Sequence, residues 1–227
     1  MKVLAIALSL GAMTSVGRYQ NSAAAPWATI TEADTQLYWR EASGPNGEQD
    51  ASALPLYRAV FAHDQQAAAK ILAGGASPNA VLSPNGWSVM MVATAYQDSD
   101  MMDLLSHHGA DLNYVSADPA DYTALGVALN AALGEALRND SGKADFRTFN
   151  HLLDLGANIN VEFGYHEDIA IFAATLGQMK LVNDLLARGY HRDLARLDQT
   201  LHIRRVDQET EPEKQKAIQT IHRLQKA

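Results

Sequence analysis

Chemistry in this chain would have to come from histidines and carboxylates. Cysteine is absent, which removes disulfides, thiolate nucleophiles and cysteine-based zinc sites together. Eight histidines remain, and two groupings of them invite a metal or catalytic reading. His107-His108 falls at the end of a predicted helix, where imidazoles favour the dipole and meet the last carbonyls. His166-Glu167-Asp168 gathers ionisable groups in one predicted loop, without a second ligand pair at i, i+4 spacing beside it. No Gly-rich phosphate loop, nucleophile elbow or H-E-x-x-H motif occurs. The expectation is therefore a chain with no catalytic residue, no metal site and no cofactor. A net charge of −8 opposes recognition of nucleic-acid phosphates and suits a partner protein with a basic patch.

The elements around these groups are periodic. Gly86–Asn113 reads GWSVMMVATAYQDSDMMDLLSHHGADLN, a helix–turn–helix followed by a loop. A small residue in the middle of the first helix recurs as Ala59, Ala93, Ala128 and Ala173, and a glycine closing the second as Gly75, Gly109, Gly156 and Gly189. The alanine-to-glycine spacings are 16, 16, 28 and 16 residues, so four copies are present and the third carries 12 extra residues. Alanine permits close helix approach, and glycine past the second helix supplies the left-handed position that ends it.

Gly86, Ser88, Met90, Ala93, Leu105, Gly109, Ala110, Asp111 and Asn113 fit the pattern G-x-T-P-L-H-x-A-A, a helix ending in Leu-Leu, then G-A-D-x-N. This resembles the ankyrin-repeat family over about residues 53–193. The endings Gly75-Ala76-Ser77-Pro78-Asn79, Gly156-Ala157-Asn158-Ile159-Asn160 and the degenerate Gly189-Tyr190-His191-Arg192-Asp193 extend the likeness. The implied fold is an all-α ankyrin-repeat solenoid, one elongated domain with four repeats plus terminal caps and elongated helices in the third repeat. The family's histidine is replaced throughout, by Tyr57, Met91, Gly126 and Ile171. In the first copy, Leu54-Pro55-Leu56-Tyr57-Arg58-Ala59, threonine is lost as well, so apolar packing is expected to replace the hydrogen bonds that tie loop to helix.

In chain order, Met1-Lys2 and the apolar run Val3–Met13 look like a secretory signal, with cleavage expected after Ala24. Loss of Lys2 and Arg18 would make the mature chain more acidic, and no membrane span would remain. Residues 25–52 are expected to form an amino-terminal cap, with a short helix over Thr29–Ser43 and a break at Gly44-Pro45-Asn46-Gly47. In the third copy the insertion is expected to lengthen both helices, over Ala128–Arg138 and Ala144–Leu155, around a turn at Asn139-Asp140-Ser141-Gly142. Residues 194–227 read as capping helices, one over Leu194–Val206 and one beginning at Pro212. There Ala217, Ile218, Ile221 and Leu224 should form an apolar stripe, with Lys214, Lys216, Arg223 and Lys226 facing water.

Ankyrin stacks bind partners on a concave face of loop tips and first helices. The resemblance carries that face onto Phe61, Trp87, Ala95, Tyr96, Tyr122, Asn130, Ala131, Tyr165, Glu167 and Thr175, beside the carboxylates Asp118, Asp121, Glu162 and Glu167. Rigid aromatics with an acidic rim suit a protein surface bearing basic residues. The expected function is a non-enzymatic, periplasmic protein-binding module, monomeric when unbound. It looks like the immunity proteins that occlude secreted antibacterial toxins, including phospholipase effectors of type VI secretion. A housekeeping envelope scaffold is the alternative.

Overall fold

The structure, a computed structural model, describes residues 53–82, 86–116, 123–138, 144–163 and 167–226. The signal, the amino-terminal cap and the Asn139–Gly142 turn lie outside them. The described chain is mostly helical, with ten helices and two short hairpins. Among the described residues no helix is long and apolar enough to cross a membrane.

Two compact units emerge: Met1–Asp111 with Val127–His151, and Leu112–Gly126 with Leu152–Ala227. In the first, α1 (Ala53–Phe61) and α2 (Gln65–Ala73) form a pair, as do α3 (Val89–Ala95) and α4 (Ser99–His107). Between the pairs, β1 (Val81–Leu82) and β2 (Trp87–Ser88) make an antiparallel hairpin. First helix packs on first, α1 on α3, and second on second, α2 on α4. α5 (Ala124–Arg138) and α6 (Arg147–Asp154) each run across a boundary between the units.

The second unit holds the hairpin β3 (Glu162–Phe163) and β4 (Glu167–Asp168), then α7 (Ile169–Thr175) and α8 (Met179–Ala187). The terminal helices α9 (Leu194–Ile203) and α10 (Glu211–Leu224) pack on α7 and α8 respectively. They thus repeat the pairing of the helices before them.

The recurrent alanines and glycines have a common backbone cause. At each of Gly75, Gly109, Gly156 and Gly189, φ lies between 88° and 103°. The residue after each glycine donates its N–H five residues back, to Ile71, Leu105, Leu152 and Leu185, and the glycine itself donates to the next residue along. These are four copies of one Schellman closure, which satisfies carbonyls a helix end leaves open. The first helices close the same way, and their 6→1 acceptors are the marker alanines Ala59, Ala93 and Ala173. There the left-handed residue is His63 (φ 52°), Gln97 (φ 56°) or Gly177 (φ 77°).

This inequality gives a prediction. Gln97→Gly should raise stability by about 0.5 kcal/mol, because relief of the left-handed penalty exceeds the entropy glycine adds to the unfolded chain. Gly109→Ala should lower it by at least about 1 kcal/mol, although a Cβ there would meet nothing within 4 Å. Urea unfolding midpoints of the two variants should move in opposite directions.

Asparagine side chains link successive endings. Asn79 Oδ1 accepts from Asp111 N–H at 2.6 Å and its Nδ2 donates to Gly109 O at 3.4 Å. Asn113 Oδ1 accepts from Asn158 N–H at 2.8 Å. Asn160 Oδ1 accepts from His191 N–H at 2.8 Å, and Nδ2 donates to Gly189 O. A turn residue within each of the first three copies therefore also bonds to the next copy.

Several expectations need correction. The first copy is not tied by apolar packing: the Tyr57 hydroxyl, at the missing histidine's place, donates to Ala80 O at 3.3 Å and to Trp87 O. The threonine position also keeps its capping chemistry, with Ser88 accepting from Met91 N–H, Thr123 from Gly126 N–H, and Asp168 from Ala170 and Ile171 N–H. In the third copy only the first helix is long. α5 has 15 residues but α6 has 8, since Asp145 bonds the Arg147 N–H and starts the helix late. In α10, Ala217, Ile218 and Ile221 are buried while Leu224 is exposed. Lys214 does not face water; it is buried and its Nζ donates to Arg204 O at 2.9 Å, an open carbonyl at the end of α9.

Candidate protein-binding face

The expected partner-binding residues divide into three groups. Phe61 and Tyr96 come together. Phe61 ends α1 and Tyr96 follows α3, so the packing of α1 on α3 brings their rings edge to face at 5.3 Å. His63 adds a second edge contact to Tyr96 at 5.4 Å. His63 Nδ1 lies 2.5 Å from Asp98 Oδ2, and Asp98 Oδ1 accepts the Met101 N–H at 3.0 Å, capping α4. One carboxylate thus begins a helix and holds the preceding turn.

Around this group is an open depression of about 410 Å³, lined by His63, Gln65, Tyr96, Gln97, Asp98 and Ser99. Its chemistry is that of an aromatic shelf beside the His63–Asp98 hydrogen bond. Burial pushes the Tyr96 phenol from 10 up to about 12, so it stays neutral at ordinary pH. The unfolded chain loses that proton near pH 10 and the folded protein near 12. Stability from this group is accordingly complete below pH 10 and falls as pH rises toward 12. Denaturant midpoints across this window should fall less steeply in Tyr96→Phe than in the native protein.

A second group is present but engaged elsewhere. Trp87, expected on the partner-binding face, is only 8 % exposed. Its backbone pairs with Leu82 and its carbonyl accepts from Tyr57, so the hairpin turns the indole inward. Asn130, expected on the face, is 6 % exposed on α5, and its Nδ2 has no hydrogen-bond partner among the described residues. Thr175 is half-buried and its hydroxyl donates to Ile171 O at 2.9 Å, a bond within its own helix. Glu162 pairs with Arg192, and Glu167 lies in β4 opposite Phe163.

The third group, Asp118, Asp121, Tyr122 and Tyr165, lies outside the described residues, as does His166. Its neighbour Asp168 is no surface-loop carboxylate. It is 3 % exposed because it caps α7 and accepts from the Tyr190 hydroxyl at 2.7 Å. His107 matches its expected role, with Nδ1 2.7 Å from Asp103 O.

Sequence reasoning missed His63 and Asp98. A signal for them existed: in copies one and two, the positions four and five residues after the marker alanine hold His63-Asp64 and Gln97-Asp98. These are the two residues of the left-handed turn and the following helix cap. No protein-family model and no curated protein matches the chain.

Proposed function

We propose that this chain is an array of ankyrin-type repeats, exported to the periplasm, that binds another protein without catalysis. Its role is immunity: it covers the active site or substrate entrance of a secreted antibacterial toxin, of the type VI phospholipase class. The observation that carries the repeat reading is the recurrence of one closure at Gly75, Gly109, Gly156 and Gly189. The asparagine bonds between successive copies add to it. Identical backbone units leave their side-chain variation for recognition. The Phe61–Tyr96 shelf supplies rigid rings beside the Asp98 carboxylate, the kind of anchor that dominates protein interfaces.

The test is capture of the mature protein's partner from its own host's periplasm, followed by inhibition measurements. One dominant hydrolase, inhibited at equimolar ratio, supports immunity; recovery of resident envelope proteins alone would replace it with a scaffold role. With the partner in hand, Phe61→Ala combined with Tyr96→Ala should cost at least about 2 kcal/mol of binding. Trp87→Ala should instead lower thermal stability, as its burial requires. Unchanged affinity in the double variant would remove the shelf from the interface.

A further inference from the structure

From Ile71 to Leu137 the chain holds seven carboxylates and no lysine or arginine. The depression between the first two helix pairs opens on this stretch, to which Tyr96, Gln97, Asp98 and Ser99 of its lining belong. Among the described residues no lysine or arginine lines it. Asp98 accepts the Met101 N–H at one carboxylate oxygen and meets His63 Nδ1 at the other. An ionised carboxylate only accepts, so Nδ1 carries the proton, and while the imidazole is neutral the pair keeps one negative charge. Two hydrogen bonds occupy half of the roughly four lone-pair sites of a carboxylate. With its side chain only 12 % exposed, Asp98 meets a cation with less screening than an open surface gives.

The turns that build the depression keep side chains where glycine would be easier. His63 and Gln97 are the two residues other than glycine with left-handed φ among the described residues, and both line it. The corresponding turn between α7 and α8 uses Gly177. A left-handed residue other than glycine costs stability, and such positions gather at ligand sites.

We propose that this depression takes an arginine side chain of the partner protein; the proposal rests on the reading of the Phe61–Tyr96 shelf as part of the partner-binding face. A guanidinium is planar, spreads its charge over five N–H donors and stacks on aromatic rings. The lining supplies the complement: the Asp98 carboxylate for charge, the Gln65 and Gln97 amides and the Ser99 hydroxyl as acceptors, and the Tyr96 ring for stacking. A lysine ammonium, compact and strongly hydrated, uses the charge alone. A volume of about 410 Å³ admits the side chain together with bridging water.

The test needs no identified partner. The blocked tripeptide acetyl-Gly-Arg-Gly-amide is titrated into the isotope-labelled full chain and followed by amide NMR shifts, with lysine and citrulline versions beside it. One anchored side chain binds in the millimolar range. The arginine peptide should move the backbone amides of Gln65, Gln97, Asp98 and Ser99 and saturate at a concentration several-fold below the lysine peptide. The neutral citrulline peptide should not saturate. Asp98→Asn, which keeps an oxygen to cap α4, should weaken arginine binding about tenfold or more. Gln97→Gly should weaken it roughly 2–10-fold while stability rises, which separates a lost contact from a damaged fold and retains the test if Asp98→Asn does not fold. Equal response to the arginine and citrulline peptides, or to the arginine and lysine peptides, overturns the proposal. So do shifts spread over other carboxylates instead of gathered at the depression. A silent arginine titration beside a captured and inhibited toxin would overturn it and leave immunity standing. Arginine binding in the depression with no toxin captured would support it and remove immunity.

Discussion

Tyr57→Ala is expected to lower the unfolding free energy by about 4 kcal/mol, the middle of the range for truncating a buried aromatic. The ring is fully buried in α1, and its hydroxyl reaches the carbonyl of Ala80, just before the first hairpin, and that of Trp87 in β2. Tyr57→Phe separates the two contributions. It keeps the ring and removes only the hydroxyl's hydrogen bonding, for about 0.5–1.5 kcal/mol, since the Ala80 carbonyl retains the Val89 N–H at 3.1 Å. Urea denaturation of both variants measures the division, and hydrogen exchange should show faster opening at Val81, Trp87 and Ser88 in each. A Tyr57→Phe variant as stable as the native protein would mean that packing alone holds the hairpin.

Asp168→Ala should cost about 3 kcal/mol. Its Oδ1 caps α7 through two backbone N–H groups at 3.0 and 3.1 Å, and loss of an N-cap accounts for about 0.5–2 kcal/mol. Its Oδ2 accepts from Tyr190, whose hydroxyl also takes the Asp193 N–H at 3.2 Å; stranding that buried phenol adds about 1–3 kcal/mol. Burial, followed by the hydrogen bond to Asp168, pushes the Tyr190 phenol well above its ordinary value. Tyrosinate absorbance in alkaline titrations should therefore appear at lower pH in Asp168→Ala than in the native protein. Asp168→Asn keeps one acceptor oxygen and should fall between the two in denaturant. If Asp168→Ala matched native stability, the chain from β4 through Tyr190 to α9 would not be a structural joint.

Helix pairing was legible wherever it depended on local backbone chemistry. The left-handed glycines and the small alanines act within a few residues of themselves, so their spacing announced them. Gln97 and His63 were harder to read because a left-handed turn there was met without glycine. The extra residues of the third copy were misplaced between two helices because helical spacing in Phe146, Phe149, Leu152 and Leu153 persists into a start that Asp145 delays.

Side-chain direction was not legible in the same way. A tryptophan at the loop position and a tyrosine after the first helix look equivalent in the chain, yet the hairpin register buries Trp87 while Tyr96 lines the depression. By itself the sequence determined the helical class and the points at which helices close, since those follow from φ preferences and capping within one turn. Tertiary structure alone decided that Tyr57 reaches the first hairpin, that Asp168 is buried under Tyr190, and that His202 and His222 share Asp198. Each of these joins residues from different elements, and only the packing of one element against another sets the distance between them.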